Sequence, residues 1–161
     1  MKRLVILIVV SILGMNFSSA QLEIVNQEVF GMDCAPCAYG LERGLKKMHG
    51  LDEVRVSLND GKAYLELSEK NELELRQIQQ EVKNNGFSAK KAEVVLKGEL
   101  VEKDDDFVIV VGNEEYIIQE STEESIRNSL ETGEIKVRGI VQDKEDSELT
   151  NSWQIQLTEI L

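Results

Sequence analysis

The order in which two hydrophobic periodicities alternate constrains this chain most. Residues 22–29 (Leu22, Ile24, Val25 and Val29 among them) are rich in β-branched side chains and read as a strand. After a loop at 31–36, Ala38, Leu41, Leu45 and Met48 recur at spacings of three and four, the single apolar face of a helix. His49-Gly50 ends that helix, with Gly50 suited to a left-handed cap. Val54, Val56 and Leu58, then Ala63, Leu65 and Leu67, alternate with polar residues on either side of Asn59-Asp60-Gly61, which predicts a hairpin. Asn71 is placed to cap a second helix with Glu74 as its capping-box partner. Leu75, Ile78 and Val82 line its inner face, and Asn85-Gly86 stops it. Residues 87–95 return as a strand. Strand-helix-strand, twice over, is the split βαβ, ferredoxin-like plan of an α+β domain: one four-stranded antiparallel sheet with two helices on one face.

The remainder has a different rhythm. Residues 98–103, 107–111 and 116–119 read as three strands, Ser121-Thr122-Glu123-Glu124 opens a helix running to Glu131, and Ile135, Val137 and Ile140 belong to a fourth strand. A polar loop at 143–151 leads to a last strand with Trp153, Ile155, Leu157 and Ile160. Three strands, a helix and two strands is the order of a small OB-like barrel. The charge changes at the same place. Residues 21–97 hold 11 basic and 13 acidic side chains, whereas 98–161 hold 5 and 17. A shift that abrupt predicts a boundary at 97–98. The formal charge of −12 for the whole chain makes phosphate backbones and anionic membranes poor partners.

The first twenty residues form a separate unit. Lys2 and Arg3 precede an apolar run from Leu4 to Leu13, and Ser18-Ser19-Ala20 offers small residues for cleavage. This is the pattern of a signal peptide cut after Ala20, which predicts a periplasmic or secreted protein. An uncleaved anchor is the rival reading and would be its only link to a membrane. The expected units are therefore 1–20, 21–97 and 98–161.

The chain's two cysteines, Cys34 and Cys37, stand where the first strand gives way to the first helix. A pair so spaced can hold a soft metal ion, cycle between dithiol and disulfide, or sit as an inert disulfide. The last use is physically weak, because so short a loop constrains little of the unfolded chain. A thiolate is the metal-binding form, and a helix amino terminus favours it. Two soft thiolates with no histidine nearby in sequence favour Cu(I) or Hg(II). A structural zinc site normally needs four ligands, and this chain offers two cysteines and His49. Asp33 adds an open choice: its carboxylate is either a harder third ligand that would favour Zn(II) or Cd(II), or a solvated loop charge beside the helix start. One histidine, no phosphate-cradling loop and no nucleophile motif leave little basis for an enzyme.

Gly31-Met32-Asp33-Cys34-Ala35-Pro36-Cys37, set between a strand and a helix in a βαββαβ plan, resembles the heavy-metal-associated domain. The resemblance covers residues 22–96. That family includes copper chaperones, the soluble periplasmic mercury-binding protein and the amino-terminal domains of metal-pumping P-type ATPases. The resemblance implies one thiophilic ion per domain, held by Cys34 and Cys37 and either buffered or passed to a metal transporter or another metal-binding protein. It also implies that Met32 points inward beneath the loop and that Phe87 packs near it, unless Phe87 is an ordinary core aromatic. Asp33 resembles the aspartate that precedes the first cysteine in domains of zinc- and cadmium-exporting ATPases. Cys34-Ala35-Pro36-Cys37 is also similar to the thioredoxin active-site pattern. That fold, however, sets a second proline, in cis, against its disulfide, and Pro36 is the only proline here. A thiol–disulfide oxidoreductase is thus the runner-up, and an adaptor acting through its acidic second half is the third reading.

Overall fold

A computed structural model describes residues 20–142 and 150–161. Residues 1–19 of the expected signal peptide, and 143–149 of the expected polar loop, lie outside them. The elements in chain order are β1 (Gln21–Phe30), α1 (Ala35–Leu45), β2 (Leu51–Ser57), β3 (Lys62–Leu67), α2 (Leu75–Asn84), β4 (Ser88–Lys103), β5 (Asp106–Val111), β6 (Glu114–Ile118), α3 (Glu124–Arg127), β7 (Gly133–Val141) and β8 (Ser152–Ile160).

The first half follows the periodicities closely. Its strands lie in the order β2-β3-β1-β4, every pairing antiparallel. This is the ferredoxin-like sheet, and α1 and α2 pack against each other and against it. Leu41 and Leu45 of α1 and Leu75, Ile78 and Val82 of α2 are fully buried, as their spacing requires. A buried polar pair lies under α2. Gln79 donates to Gln27 Oε1 at 3.1 Å, and Gln27 donates to the Lys90 carbonyl at 2.7 Å, so neither amide is left without a partner.

The expected strands 87–95 and 98–103 are one strand of 16 residues, β4. One edge of β4 pairs with β7 over residues 92–100. The opposite edge pairs with β1 up to Lys97 and with β5 from Glu99 onward. The exchange of partners happens at Gly98. A Cβ there would stand 2.5 Å from the Val110 carbonyl oxygen and 2.8 Å from Ile109 Cγ2, so the crossing strand fits against a glycine alone. The charge step at 97–98 therefore coincides with a change of pairing inside a continuous strand.

Beyond Gly98, β4, β5, β6, β8 and β7 pair in sequence, and β7 returns to β4, closing a ring of five. The β6–β8 pairing is parallel and the others are antiparallel. Asp104 and Asp105, both at positive φ (53° and 70°), make the two-residue β4–β5 turn, a conformation short polar residues tolerate. The inner side of the ring is continuous with the helix-covered side of the sheet, and one apolar cluster runs from Leu22, Leu41 and Ile78 through Leu96 and Leu100 to Tyr116 and Ile155.

Two helix starts differ from expectation. Asn71 does not cap α2. It is buried, donates to the carbonyls of Leu22 (2.8 Å) and Ser68 (2.9 Å), and accepts from Leu73 N–H. The cap position falls at Glu74, whose N–H is accepted by Gln77 Oε1 at 3.0 Å. The helix expected over 121–131 shrinks to the single turn of α3. Thr122 is buried, and its hydroxyl accepts from Leu157 N–H on β8 at 3.0 Å, while Ser121 donates to Gln119 Oε1. Tertiary and local bonds thus take up the two side chains that had suggested a capping box.

Candidate metal site

The cysteine loop is held from both sides. Val29 N–H donates to the Gly61 carbonyl at 2.8 Å, tying the end of β1 to the β2–β3 turn. Gly31, at φ +90°, turns the chain where a side chain would be strained. Met32 is then buried in the core, the inward position the resemblance implies. Asp33 is exposed.

Cys34 occupies the N-cap of α1 with extended backbone (φ −141°, ψ 150°), and its Sγ accepts from the Cys37 N–H at 3.1 Å. Its carbonyl accepts the first helical bond, from Ala38 N–H, at 3.1 Å. A cysteine thus does what serine or threonine usually does at this position, taking the orphan N–H of the third helical residue. Pro36 in the first turn has no N–H to leave unsatisfied. The expected loop at 31–36 therefore yields two residues to the helix. In the structure Cys34 and Cys37 are joined by a disulfide, and both residues are half-buried. Ala35 and Pro36 between them are exposed, as are Phe30 (69%) and Tyr39 (64%) on either side.

Among the described residues no three His, Cys, Asp or Glu side chains gather where they could share an ion. His49 follows the opposite end of α1, about 16 Å of helix away. The site is a pair of sulfurs at a helix amino terminus, with Asp33 the adjacent carboxylate. Phe87 lies partly buried against the core after Gly86 (φ +88°). Behind the loop, Glu42 Oε2 accepts the Val56 N–H at 3.0 Å and pins α1 to the outermost strand, β2. Hydrogen bonds from Lys46 and from the Val56 backbone hold the Glu42 carboxyl below its ordinary range. Gly44 lets α1 and the end of α2 approach closely, since a Cβ there would meet the Asn85 amide at 2.5 to 2.9 Å.

One side chain with no sequence expectation attached dominates the junction of the two halves. Glu114, on β6, is 1% exposed. Its Oε2 accepts from Leu75 N–H (2.8 Å) and the Tyr116 hydroxyl (2.8 Å), and its Oε1 from Arg76 N–H (3.0 Å) and Trp153 Nε1–H (2.9 Å). A carboxylate of the ring thus caps the helix of the sheet, where the helix dipole favours negative charge. Burial and the neighbouring Glu114 charge push the Tyr116 hydroxyl well above its ordinary pKa.

Comparison with known proteins is consistent with the loop's resemblance. The family model of the heavy-metal-associated domain matches residues 28–88. Among solved structures, a copper-binding domain from a P-type ATPase is 26% identical, covers 45% of this chain and 92% of its own length, and has a TM-score of 0.39. The yeast copper transporter domain Ccc2a is 22% identical over 42% of this chain and 90% of its own, with a TM-score of 0.39. The CopZ metallochaperone is 22% identical over 43% of this chain and 98% of its own, with a TM-score of 0.38. No curated protein matches.

Proposed function

We propose that this chain, which carries a heavy-metal-associated domain at residues 28–88, is an exported carrier of one thiophilic metal ion, bound by Cys34 and Cys37 in their reduced form. The observation that carries the reading is the placement of both sulfurs, half-exposed, in the first turn of α1 on a loop anchored beneath by Met32. The helix terminus favours thiolates, and two-coordinate sulfur suits Cu(I) and Hg(II). Two strong ligands on an accessible loop leave room for a partner's thiolate to enter, so the ion can pass by ligand exchange to a transporter or a second metal-binding protein. Residues 98–161 are read as an OB-like barrel, a reading supported by the five-membered ring with its one parallel pairing. Its acidity suits a protein contact better than a nucleic acid.

Anaerobic titration of the reduced protein, with native mass spectrometry, tests the assignment. One equivalent of Cu(I) or Hg(II), lost in Cys34→Ser and in Cys37→Ser, is the expected result. Unchanged stoichiometry and affinity in either variant would remove the site. A preference for Zn(II) or Cd(II) that weakens in Asp33→Ala would make the aspartate a third ligand. Turnover of a disulfide substrate that needs both cysteines, without tight metal binding, would put the oxidoreductase reading first.

A further inference from the structure

We propose that Asn85-Gly86 is a modification site held closed by the fold: opening of the last turn of α2 lets Asn85 deamidate, and the product cannot restore the contact between α1 and α2. The inference stands apart from what Cys34 and Cys37 bind.

The sequence supplies the chemistry. Asn85-Gly86 is the chain's only Asn-Gly pair. A glycine after asparagine has no Cβ to crowd its nitrogen, so that nitrogen can approach the asparagine side chain closely. Gly86 N attacks Asn85 Cγ, and its proton passes to solvent. Nδ2 leaves as ammonia, and a five-membered succinimide closes. Water then adds to one of the two ring carbonyls and breaks its bond to nitrogen, giving aspartate or isoaspartate. A water is consumed and an ammonia released, with no oxidant or reductant.

The structure holds each participant out of position. Asn85 is the C-cap of α2, at φ −83° and ψ 4°. That ψ eclipses Gly86 N with Asn85's own backbone nitrogen, whereas ring closure needs it beside Cβ. Gly86, at φ +88°, completes a Schellman cap: its N–H donates to the Lys83 carbonyl at 2.9 Å, and Phe87 N–H donates to the Val82 carbonyl at 3.2 Å. The attacking nitrogen is thus tied to the helix. The leaving group is tied as well, because Asn85 Nδ2 donates to the Glu81 carbonyl at 2.8 Å and to Glu81 Oε1 at 2.9 Å. The amide lies against Gly44 of α1, where a Cβ would stand 2.9 Å from Asn85 Cγ, so one side of the carbon under attack is covered. Asn84 and Gly86 are nevertheless exposed at a helix end, where local opening costs least. The glycine that caps the helix is also the one that makes the site reactive once the cap is lost.

The product does not fit back. A carboxylate at position 85 has no hydrogen to give, and it would face the Glu81 carbonyl and carboxylate, both of them acceptors. It also adds negative charge at the negative end of α2. The seam at Gly44 then loses the side chain that fills it, beneath the helix that presents the cysteines. A transient opening becomes a lasting one.

The test follows the full chain at mildly alkaline pH in native buffer and in urea sufficient to unfold it, with conversion at Asn85 read by tandem mass spectrometry. Conversion is expected to be about tenfold or more slower in native buffer, because the folded chain reacts only while its cap is open. Equal rates would overturn the hold of the fold on the site, and no conversion in urea would remove the site itself. Gly44→Ala, whose Cβ displaces the amide, is expected to convert faster than the unaltered chain in the same native buffer. An unchanged rate would overturn the part assigned to the α1–α2 contact. For the consequence, Asn85→Asp is unfolded in urea and followed by far-UV circular dichroism. Its midpoint is expected below that of the unaltered chain, and an unchanged midpoint would overturn the claim that the product cannot restore the seam.

Discussion

Replacing Glu114 with alanine should be the most damaging single change outside the apolar core. The carboxylate accepts four hydrogen bonds, and three of the donors, Leu75 N–H, the Tyr116 hydroxyl and Trp153 Nε1–H, are buried with it. A buried donor deprived of its partner costs about 1–3 kcal/mol, and loss of a helix cap costs roughly 1 kcal/mol. Relief of the charge's own desolvation, several kcal/mol on the order of the gain, opposes these losses. What stays unpaired is a set of neutral donors rather than a charge, so the net destabilisation is expected at about 1–3 kcal/mol, a sizeable share of the roughly 5–15 kcal/mol that holds a domain together. Urea unfolding measures it with two probes. Trp153 is the chain's only tryptophan and reports on the ring, while far-UV circular dichroism is weighted toward α1 and α2. Because the clasp joins β6 to α2, both probes should move to lower urea together. A loss below about 1 kcal/mol, or a shift in the Trp153 transition with none in the helical signal, would refute the claim that Glu114 holds α2.

Three further expectations follow from the same contacts. Gly98→Ala forces a Cβ onto the Val110 carbonyl oxygen, a backbone atom that cannot swing away, and should cost about 1–3 kcal/mol in urea unfolding; an unchanged midpoint would mean that the strand crossing is looser than the structure shows. Tyr116 keeps its proton more tightly in the folded chain than in the unfolded one, because burial, and then the Glu114 charge, disfavour the phenolate. Stability should therefore hold up to about pH 10, the ordinary tyrosine value, and fall as pH rises beyond it; Tyr116→Phe should flatten that alkaline loss, and melts at stepped pH would show whether it does. Glu42 is held below its ordinary value of 4.5, first by the hydrogen bond from Lys46 and then by that from Val56 N–H. Its contribution is present above that value and is lost as pH falls through the lower, folded one. Glu42→Gln should therefore shrink the drop in stability on acidification below about pH 4.5, and an equal drop in both proteins would count against the bond to β2.

What could be read from the sequence divides by the distance between partners. The cysteine loop was legible because its chemistry is local: Gly31, Met32, Cys34 and Cys37 lie within seven residues, and a strand running into a helix fixes their arrangement. The ferredoxin-like half was legible because Leu41, Leu45, Ile78 and Val82 sit at helical spacing and Ala63, Leu65 and Leu67 alternate. Asn71, Ser121 and Thr122 misled because their side chains suit a cap and bind elsewhere: Asn71 reaches Leu22 and Thr122 meets Leu157, separations of 49 and 35 residues that no local pattern encodes. The exchange of strand partners at Gly98 falls beside the charge step, but a strand that keeps its course while changing its neighbour leaves no turn residue behind, and Gly98 alone marks the place.

Glu114 was the costliest omission, and a signal for it did exist. Along β6 the buried positions are Glu114, Tyr116 and Ile118, so strand parity alone places a glutamate on the inward face. A charged side chain there must find several donors or it would not be tolerated, and the start of α2 supplies two of them from 39 and 38 residues away. The cysteine loop and the clasp thus serve different ends of the same packed pair of helices. α1 presents the sulfurs at its first turn, α2 packs against α1 where Asn85 meets Gly44, and the first turn of α2 is held by the ring. The half that carries the sulfurs is therefore not finished by its own residues. One edge of β4 over residues 92–97 and the start of α2 are both completed by the acidic half. Cutting the chain near 97–98 would strip that edge and that cap together, which is why the clasp deserves to be tested in the full chain.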